Sequence, residues 1–244
     1  MRLLVVMNQG DTALGVFSQE LKLRFSSIEF AYREEIELLR TSEMPDTLLL
    51  LGSDWSVYDE FRRASVEIEK SLVRNCALNA IPILGICFGA QVISQAFGGD
   101  VFRAIKPEIG WRDVESLDRE SPVAGRWMQW HYDSFTAPRG FDVLAENSAG
   151  VQAIRLGRTL GVQFHPEVDA DIVTRWSLGR GSAELAAAGI TPEHLLDELA
   201  QPGNWSEKSG QRLLQWFLEV VSLEKFVRSE EHTSELQSPM YLVC

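Results

Sequence analysis

The sequence predicts an α/β fold with a doubly wound, mostly parallel sheet and a small antiparallel addition. Residues 3–7 (LLVVM), 47–51 (TLLLL) and 83–86 (ILGI) are short continuous apolar runs, typical of strands that a parallel sheet buries on both faces. Helix-compatible segments separate these runs, as in doubly wound sheets. From residue 100 onwards the character of the chain changes to short segments that indicate antiparallel strands.

Strands and helices alternate through the first part of the chain. We predict strands at residues 3–7, 28–32, 47–51 and 83–86, and helices at 14–25, 59–78 and 88–97. Connections between parallel strands are right-handed, and sheets of this kind carry their sites at the carboxyl ends of the strands. The loops after the third and fourth strands occupy such positions.

The second part of the chain adds the antiparallel strands and the remaining helices. We predict short antiparallel strands at residues 101–104 and 110–114, an apolar strand at 127–130 that ends at His131, and a hairpin of 151–156 with 159–164. Further helices are predicted at residues 168–176, from Pro192 onwards, and at 210–223. Thr191 is the predicted N-terminal cap of the second of these.

Composition and charge disfavour several classes of function. The formal charge of −12 disfavours a nucleic-acid partner. No run approaches the roughly 20 apolar residues of a membrane helix, so we expect no membrane partner. Three cysteines in 244 residues do not make a disulfide framework, and a reducing, cytoplasmic compartment is expected. The sequence contains no metal-ligand cluster and no phosphate-binding loop, so no metal or other cofactor is expected.

The last residues resemble foreign sequence. Residues 228–238 (RSEEHTSELQS) are similar to the translation of a common sequencing-library adapter. We therefore expect one native domain over residues 1–227, with the native sequence interrupted near Val227, and a non-native tail over 228–244 that packs poorly. His232 and Cys244 lie in this tail and are left out of the candidate site.

Residues 85–89 (GICFG) have the pattern of a nucleophile elbow, with cysteine in place of serine. The predicted strand ends at Cys87, and a helix begins at Phe88. The flanking glycines allow strand and helix to approach closely around a strained residue. A position at a helix N-terminus also favours a thiolate. The alternative is a buried, inert cysteine, but the paired glycines at the strand-to-helix turn favour a nucleophile.

A cysteine nucleophile usually needs a histidine base. Outside the tail, His194 lies in the first turn of a capped helix, where exposure is expected, which leaves His131 and His165. His165 follows a predicted strand, and Glu167 lies two residues further on, so both point to the same side of an extended segment. A carboxylate there orients the ring and fixes its tautomer. We therefore favour His165 as the base.

Acyl transfer also needs hydrogen-bond donors for the developing oxyanion. One donor is the backbone N–H of Phe88, directly after the nucleophile. The second is expected from another loop at the same sheet edge, and Gly52 and Ser53 provide it after the third strand. The alternative for this loop is a simple turn, in which Asp54 or Ser56 caps the following helix.

These motifs together resemble the class I glutamine amidotransferase domain. The matching segments are residues 85–91 (GICFGAQ), 161–167 (GVQFHPE), 52–59 (GSDWSVYD), 130–133 (WHYD) and 108–111 (EIGW). The resemblance runs from residue 1 to about residue 223 and is nearest to the stand-alone, guanylate-synthase-like branch. It implies the flavodoxin-like fold of that family.

The resemblance also implies a catalytic triad and a reaction. Cys87 would attack the side-chain amide of L-glutamine, His165 would act as general acid and base, and Glu167 would orient His165. Glutamate and ammonia would form through a γ-glutamyl thioester, with the ammonia passing to a separate synthetase or other acceptor enzyme. Two alternatives remain open, namely hydrolysis of γ-glutamyl peptides or conjugates by the same residues, and a regulatory module with a vestigial site.

The same resemblance implies how substrate is bound. Gln91, one helical turn past Cys87, would contact the glutamine, and the backbone of Tyr132 and Asp133 would bind its α-amino end. His131 lies in that loop motif, where its ring is expected to fix the loop and not to take part in the chemistry.

The oxyanion loop departs from the family pattern. In the family it commonly reads Gly-Gly-Pro, and here it reads Gly52-Ser53-Asp54. A backbone donor needs no particular side chain, but a residue other than glycine restricts how the peptide flips. The departure leaves open whether the loop is preset or is moved by a partner.

Overall fold

One sheet of nine strands organises the part of the chain that the computed structural model describes, residues 1–38, 44–201 and 206–223. The strands are β1 (Arg2–Met7), β2 (Ser27–Tyr32), β3 (Thr47–Leu50), β4 (Ile83–Ile86), β5 (Val101–Ser116), β6 (Gly125–Phe135), β7 (Asp142–Asn147), β8 (Gly150–Leu156) and β9 (Thr159–Val162). Their order is β2-β1-β3-β4-β9-β8-β7-β5-β6. The first five in this order are parallel, and the other four continue the sheet with antiparallel pairings.

Helices pack on both faces of this sheet. They are α1 (Ser18–Arg24), α2 (Arg63–Leu78), α3 (Phe88–Ala96), α4 (Ala170–Trp176), α5 (Arg180–Ala188), α6 (Pro192–Ala200) and α7 (Ser206–Trp216). Alternate residues of β1 point to opposite faces: Leu3, Val5 and Met7 pack in a core with α7, whereas Leu4 and Val6 pack in a core with α2 and α3. The predicted doubly wound, mostly parallel α/β fold is confirmed.

The register of the central strands brings three loops together. β4 lies between β3 and β9, with Leu50 opposite Gly85 and Ile86 opposite Val162. Because these strands are parallel, their carboxyl ends share one edge of the sheet. The residues that follow β3, β4 and β9 therefore become neighbours, and the backbone N–H of Cys87 donates to Val162 O at 2.8 Å.

The glycines around Cys87 allow backbone segments to touch. A Cβ atom on Gly89 would lie 2.4 Å from Leu50 O, and one on Gly85 would lie 2.7 Å from Gly89 O. Both distances are shorter than van der Waals contact, so a side chain at either position would push α3 away from β3 and β4. The sequence-based argument for close approach at this turn is thus confirmed.

The two strands predicted at residues 101–104 and 110–114 form the single long strand β5, and the prediction of separate strands was wrong. β5 pairs with β6 along both parts, with a shift in register between Arg103 and Glu108. Pro107 lies within this irregular part, where its missing N–H cannot serve the hydrogen-bond ladder. The interruption in the sequence pattern therefore marks a bulge and not a turn.

Three further features were missed or misplaced. β7 carries only two buried residues, Leu144 and Ala145, which is too weak a signal for a strand. α5 is rich in alanine and buries only Gly181 and Leu185. His131 and Asp133, expected in a loop, lie within β6, which continues to Phe135.

The predicted tail at residues 228–244 lies outside the described residues. Among the residues that are described, no helix has the length and apolar character needed to cross a bilayer.

Candidate active site

Cys87 occupies a strained turn between β4 and α3. Its backbone has φ +51° and ψ −107°, a combination that residues other than glycine rarely adopt. Hydrogen bonds on both sides support this geometry: the Cys87 N–H donates to Val162 O, and the Gln91 N–H donates to Cys87 O at 3.1 Å. The side chain is 4% exposed and receives a hydrogen bond from Gln163 Nε2, 3.6 Å from Sγ. Cys87 therefore sits at the first turn of α3 with a donor directed at its sulfur.

His165 and Glu167 form a buried pair just beyond β9. His165 Nδ1 lies 2.7 Å from Glu167 Oε1. The backbone N–H of His165 donates to Met128 O at 2.9 Å, and the rings of His165 and Trp176 pack edge to face with centroids 4.7 Å apart. Within the described residues Nε2 has no hydrogen-bond partner. The carboxylate thus fixes Nδ1 as the nitrogen that carries a proton and leaves Nε2 for chemistry.

The charges around His165 favour its protonated form. Burial by itself lowers the pKa of His165, but its electrostatic interactions with Glu167 and Cys87 outweigh burial and raise the pKa to about 10. Such a ring can donate a proton to a leaving group at neutral pH. Cys76 lies in an apolar core on α2, where burial raises its pKa to about 12 and disfavours a thiolate.

Gly52 and Ser53 follow β3 and border the same site. A Cβ on Gly52 would lie 2.8 Å from His165 Cε1 and 3.7 Å from Cys87 Cβ, so glycine is required for the loop to pass this close. Within the described residues, neither the Ser53 N–H nor the Phe88 N–H donates to another protein group. Both backbone donors therefore remain available to a ligand.

Gln91 and Asp133 are tied to the protein in this structure. Gln91 Nε2 lies 3.3 Å from Asp133 O and 3.4 Å from Gln163 Oε1. The buried Asp133 carboxylate accepts hydrogen bonds from Ser56 Oγ at 2.5 Å and from Tyr58 OH at 2.7 Å. The two hydroxyls belong to the loop after β3, so the Asp133 side chain holds this loop against β6. Ser56 therefore does not act as the helix cap that the sequence offered as an alternative.

His131 belongs to a buried polar network behind Asp133. Its Nδ1 lies 3.0 Å from Asp133 O, and its Nε2 lies 3.1 Å from Glu108 Oε2. Each ring nitrogen therefore contacts an oxygen atom of the protein. Asn147 and Gln152 also donate to Glu108, at 2.8 and 3.0 Å. His131 thereby fixes the backbone of β6 at Asp133.

A cavity of about 600 Å³ joins most of these groups. The predicted site residues that line it are Gly52, Ser53, Cys87, Gln91, Tyr132, Asp133 and His165. Glu167 and Phe88 do not line it: Glu167 lies behind His165, and the Phe88 side chain is buried. Trp55, Trp130 and Trp176 add aromatic walls. Among the described residues, no group of three or more His, Cys, Asp or Glu side chains is arranged to bind a metal ion.

Sequence reasoning missed two residues that contact the site. The amide of Gln163 points at Cys87 Sγ. The only sequence feature that could have indicated this contact is the position of Gln163, a polar residue, between the apolar residues Val162 and Phe164. Arg33 lies in a charged stretch typical of a solvent-exposed surface, yet its side chain is 0% exposed and contacts the carbonyl of Gly52. No local sequence pattern distinguishes such a buried arginine.

Comparison with known proteins agrees with the geometry. The family model "Glutamine amidotransferase class-I" matches residues 12–172. The chain is 36% identical over 170 residues to the GMP synthase (glutamine-hydrolyzing) of Thermus thermophilus, covering 64% of this chain and 31% of that protein. It is 33% identical over 132 residues to one subunit of the GMP synthase (glutamine-hydrolyzing) of Sulfurisphaera tokodaii, covering 50% of this chain and 68% of that relative.

A solved structure shows the same fold. A glutamine amidotransferase from Thermotoga maritima matches with a TM-score of 0.80 at 27% identity, covering 92% of this chain and 99% of that one. The match to the Thermus synthase spans only about a third of that protein's length. The family model covers well over half of this chain, and the chain belongs to the class-I glutamine amidotransferase family.

Proposed function

We propose that the chain hydrolyses the side-chain amide of L-glutamine to glutamate and ammonia, with Cys87 as nucleophile. The observation that carries this proposal is that Cys87, at a strained turn, and His165 line the same cavity, with Glu167 bound to His165 at 2.7 Å from behind. Family membership supports glutamine as the substrate, because the relatives carry the name glutamine-hydrolyzing.

The first half-reaction forms a thioester. The Cys87 thiolate attacks the γ-carbonyl carbon, and the N–H groups of Phe88 and Ser53 stabilise the oxyanion. His165 then donates its proton to the amide nitrogen as the C–N bond breaks, and ammonia leaves. Glu167 orients the ring and stabilises its charge before the transfer.

The second half-reaction restores the enzyme. Neutral His165 takes a proton from water, and the resulting hydroxide attacks the thioester carbonyl. The C–S bond breaks, Cys87 leaves as a thiolate, and glutamic acid is released and ionises. His165 is again protonated, so the starting ion pair is regenerated.

Substrate binding is proposed for Gln91, Tyr132 and Asp133. Gln91 and the backbone at Tyr132 and Asp133 lie along the cavity, where they would contact the glutamine and its α-amino group. The Asp133 carboxylate already accepts two protein hydrogen bonds, which favours a backbone contribution from this residue.

A second candidate substrate class is a γ-glutamyl peptide or conjugate. A cavity of about 600 Å³ is in the range that binds drug-sized ligands, which are larger than glutamine. The tryptophans in its wall provide apolar surface for a substituent on the amide nitrogen. The first half-reaction would be the same, with an amine leaving in place of ammonia.

The acceptor of the ammonia is proposed to be a separate synthetase. The Thermus thermophilus relative is a GMP synthase, and this chain matches about a third of its length. The Sulfurisphaera tokodaii relative is one subunit of a GMP synthase. These names support a nucleotide-forming acceptor.

The test is a paired assay on the purified chain. Ammonia release from glutamine is measured beside glutamate release from γ-glutamyl dipeptides, with Cys87→Ser as control. Turnover of glutamine that Cys87→Ser abolishes supports the proposal, and preferential turnover of dipeptides supports the second substrate class. Absence of both activities, together with no labelling of Cys87 by an electrophilic glutamine analogue, overturns the nucleophile assignment.

A further inference from the structure

Arg33 is a fully buried cation beside the candidate oxyanion loop. It begins the 3₁₀ segment Arg33–Leu38 after β2, and its side chain is 0% exposed. Nε and Nη2 bind the two carboxylate oxygens of Glu69, each at 2.9 Å. This bidentate pair compensates the buried charge and fixes the plane of the guanidinium group.

The remaining donors of Arg33 point at the end of β3. Nη2 donates to Leu51 O at 2.7 Å, and Nη1 donates to Gly52 O at 2.9 Å and to Asn8 Oδ1 at 3.1 Å. Two consecutive carbonyls of the loop are therefore bound by one rigid group. Lysine, with a single ammonium, does not reproduce this arrangement.

The contact with Gly52 O fixes the direction of the next N–H. In a planar trans peptide, the carbonyl of Gly52 and the N–H of Ser53 point in opposite directions. Arg33 binds the carbonyl, so the Ser53 N–H points away from Arg33, and no other described group accepts its hydrogen bond. Gly52 itself borders Cys87 and His165.

Arg33 also contacts the residue that carries the other donor. Its guanidinium lies over the ring of Phe88, 4.7 Å from the centroid. One buried side chain thus touches both segments whose N–H groups are candidates for the oxyanion hole. A flip of the Gly52–Ser53 peptide would break the hydrogen bond to Gly52 O and leave a buried Arg33 N–H without this partner.

We propose that Arg33 is a positioning residue that presets the oxyanion loop, so that the isolated chain is active without a partner to reorganise it. The inference rests on the proposed amide hydrolysis and adds to it a residue and a mode of regulation. A partner protein then receives ammonia but is not needed to form the oxyanion hole.

The test compares turnover with the reactivity of the nucleophile. Arg33→Met/Glu69→Met replaces the ion pair with apolar side chains, which avoids an unpaired buried charge. Arg33→Lys keeps the positive charge but loses the bidentate geometry, and it tests the proposal if the double variant does not fold. Val73→Ala is the matched control, since it removes buried methyl groups on α2 without removing any hydrogen bond of Arg33. The readouts are kcat, KM, the rate of Cys87 alkylation by iodoacetamide, and Tm.

We expect the double variant to lower kcat about 100-fold, in the range seen when an oxyanion donor is lost. KM and the alkylation rate stay within about threefold, because neither depends on the oxyanion hole. We expect Arg33→Lys to lower kcat about tenfold, and Val73→Ala to lower Tm without changing kcat. A kcat within threefold of wild type in a folded Arg33 variant overturns the proposal, as does an alkylation rate that falls in parallel with kcat.

The wild-type protein separates this proposal from the proposed function. Labelling of Cys87 by an electrophilic glutamine analogue without turnover of any substrate overturns the preset loop and leaves the nucleophile intact. Absence of both labelling and turnover overturns the proposed function, and the inference about Arg33 falls with it.

Discussion

Replacing Glu167 with glutamine removes the charge that pairs with His165 while keeping an oxygen that accepts its hydrogen bond. The pKa of His165 is raised from 6.5 to about 10, which corresponds to about 5 kcal/mol of preference for the protonated ring. Glu167 is the larger of the two charges that raise it, so we expect a loss of about 2–3 kcal/mol of this preference. The alkaline limb of activity should then move down by about two pH units.

The assay is kcat/KM for glutamine between pH 6 and pH 11. The wild-type protein should lose activity as the pH rises towards 10, where His165 releases its proton, and Glu167→Gln should lose it near pH 8. Glu184→Gln is the matched control, because Glu184 also lines the cavity but bonds to Trp130 and Arg180 instead. An alkaline limb that does not move in Glu167→Gln would refute the assignment of this pair.

The same pair makes a prediction for stability. Because the folded-state pKa of His165 lies above 6.5, its ion pairing stabilises the fold fully below about pH 6.5 and ceases to do so as the pH rises through 10. Glu167→Gln should therefore have a lower Tm than wild type at pH 6, with the difference shrinking towards pH 10. A difference that is constant across this range would contradict the sign of the argument.

Three further predictions follow from contacts at the site. Gly89→Ala should destabilise the fold by about 1–3 kcal/mol in urea unfolding, because its Cβ would lie 2.4 Å from a carbonyl oxygen of β3. The control Gly10→Ala, whose Cβ would have no atom within 4 Å, should change the stability by no more than about 0.5 kcal/mol. Equal effects of the two substitutions would contradict the packing argument. Ser53→Ala should keep kcat within about threefold of wild type, whereas Ser53→Pro should lower kcat by about 100-fold or more, because of the two residues only proline removes the backbone donor. Equal losses in the two variants would indicate a role for the Ser53 side chain. Iodoacetamide should label Cys87 much faster than Cys76, whose pKa is raised by burial to about 12, and peptide mapping showing comparable labelling would count against this difference.

The sequence was most informative where function depends on neighbours along the chain. Cys87 with its flanking glycines, and His165 with Glu167 two residues on, each form a local pattern with a physical reason. Cys87 directly follows β4 as predicted, and His165 lies beyond β9, which ends at Val162 and not at the predicted residue 164. The parallel sheet was predictable because short, continuous apolar runs separated by helical segments are typical of strands buried on both faces.

Features that depend on distant contacts were not predictable in the same way. Arg33 contacts Glu69 and Gly52, which lie 36 and 19 positions away along the chain, and in the sequence it is followed by two glutamates. β5 was divided into two strands because its bulge resembles a turn in the sequence. α5 was missed because alanine-rich helices with few buried residues show no clear periodicity.

The central claim is that Cys87 forms a covalent acyl intermediate with the side chain of glutamine. The most direct measurement is mass spectrometry of the protein quenched in acid during turnover of glutamine, beside Cys87→Ser. We predict a γ-glutamyl thioester on the Cys87 peptide and ammonia release that the substitution abolishes. Ammonia release that persists in Cys87→Ser, with no adduct on the wild-type peptide, would contradict this claim.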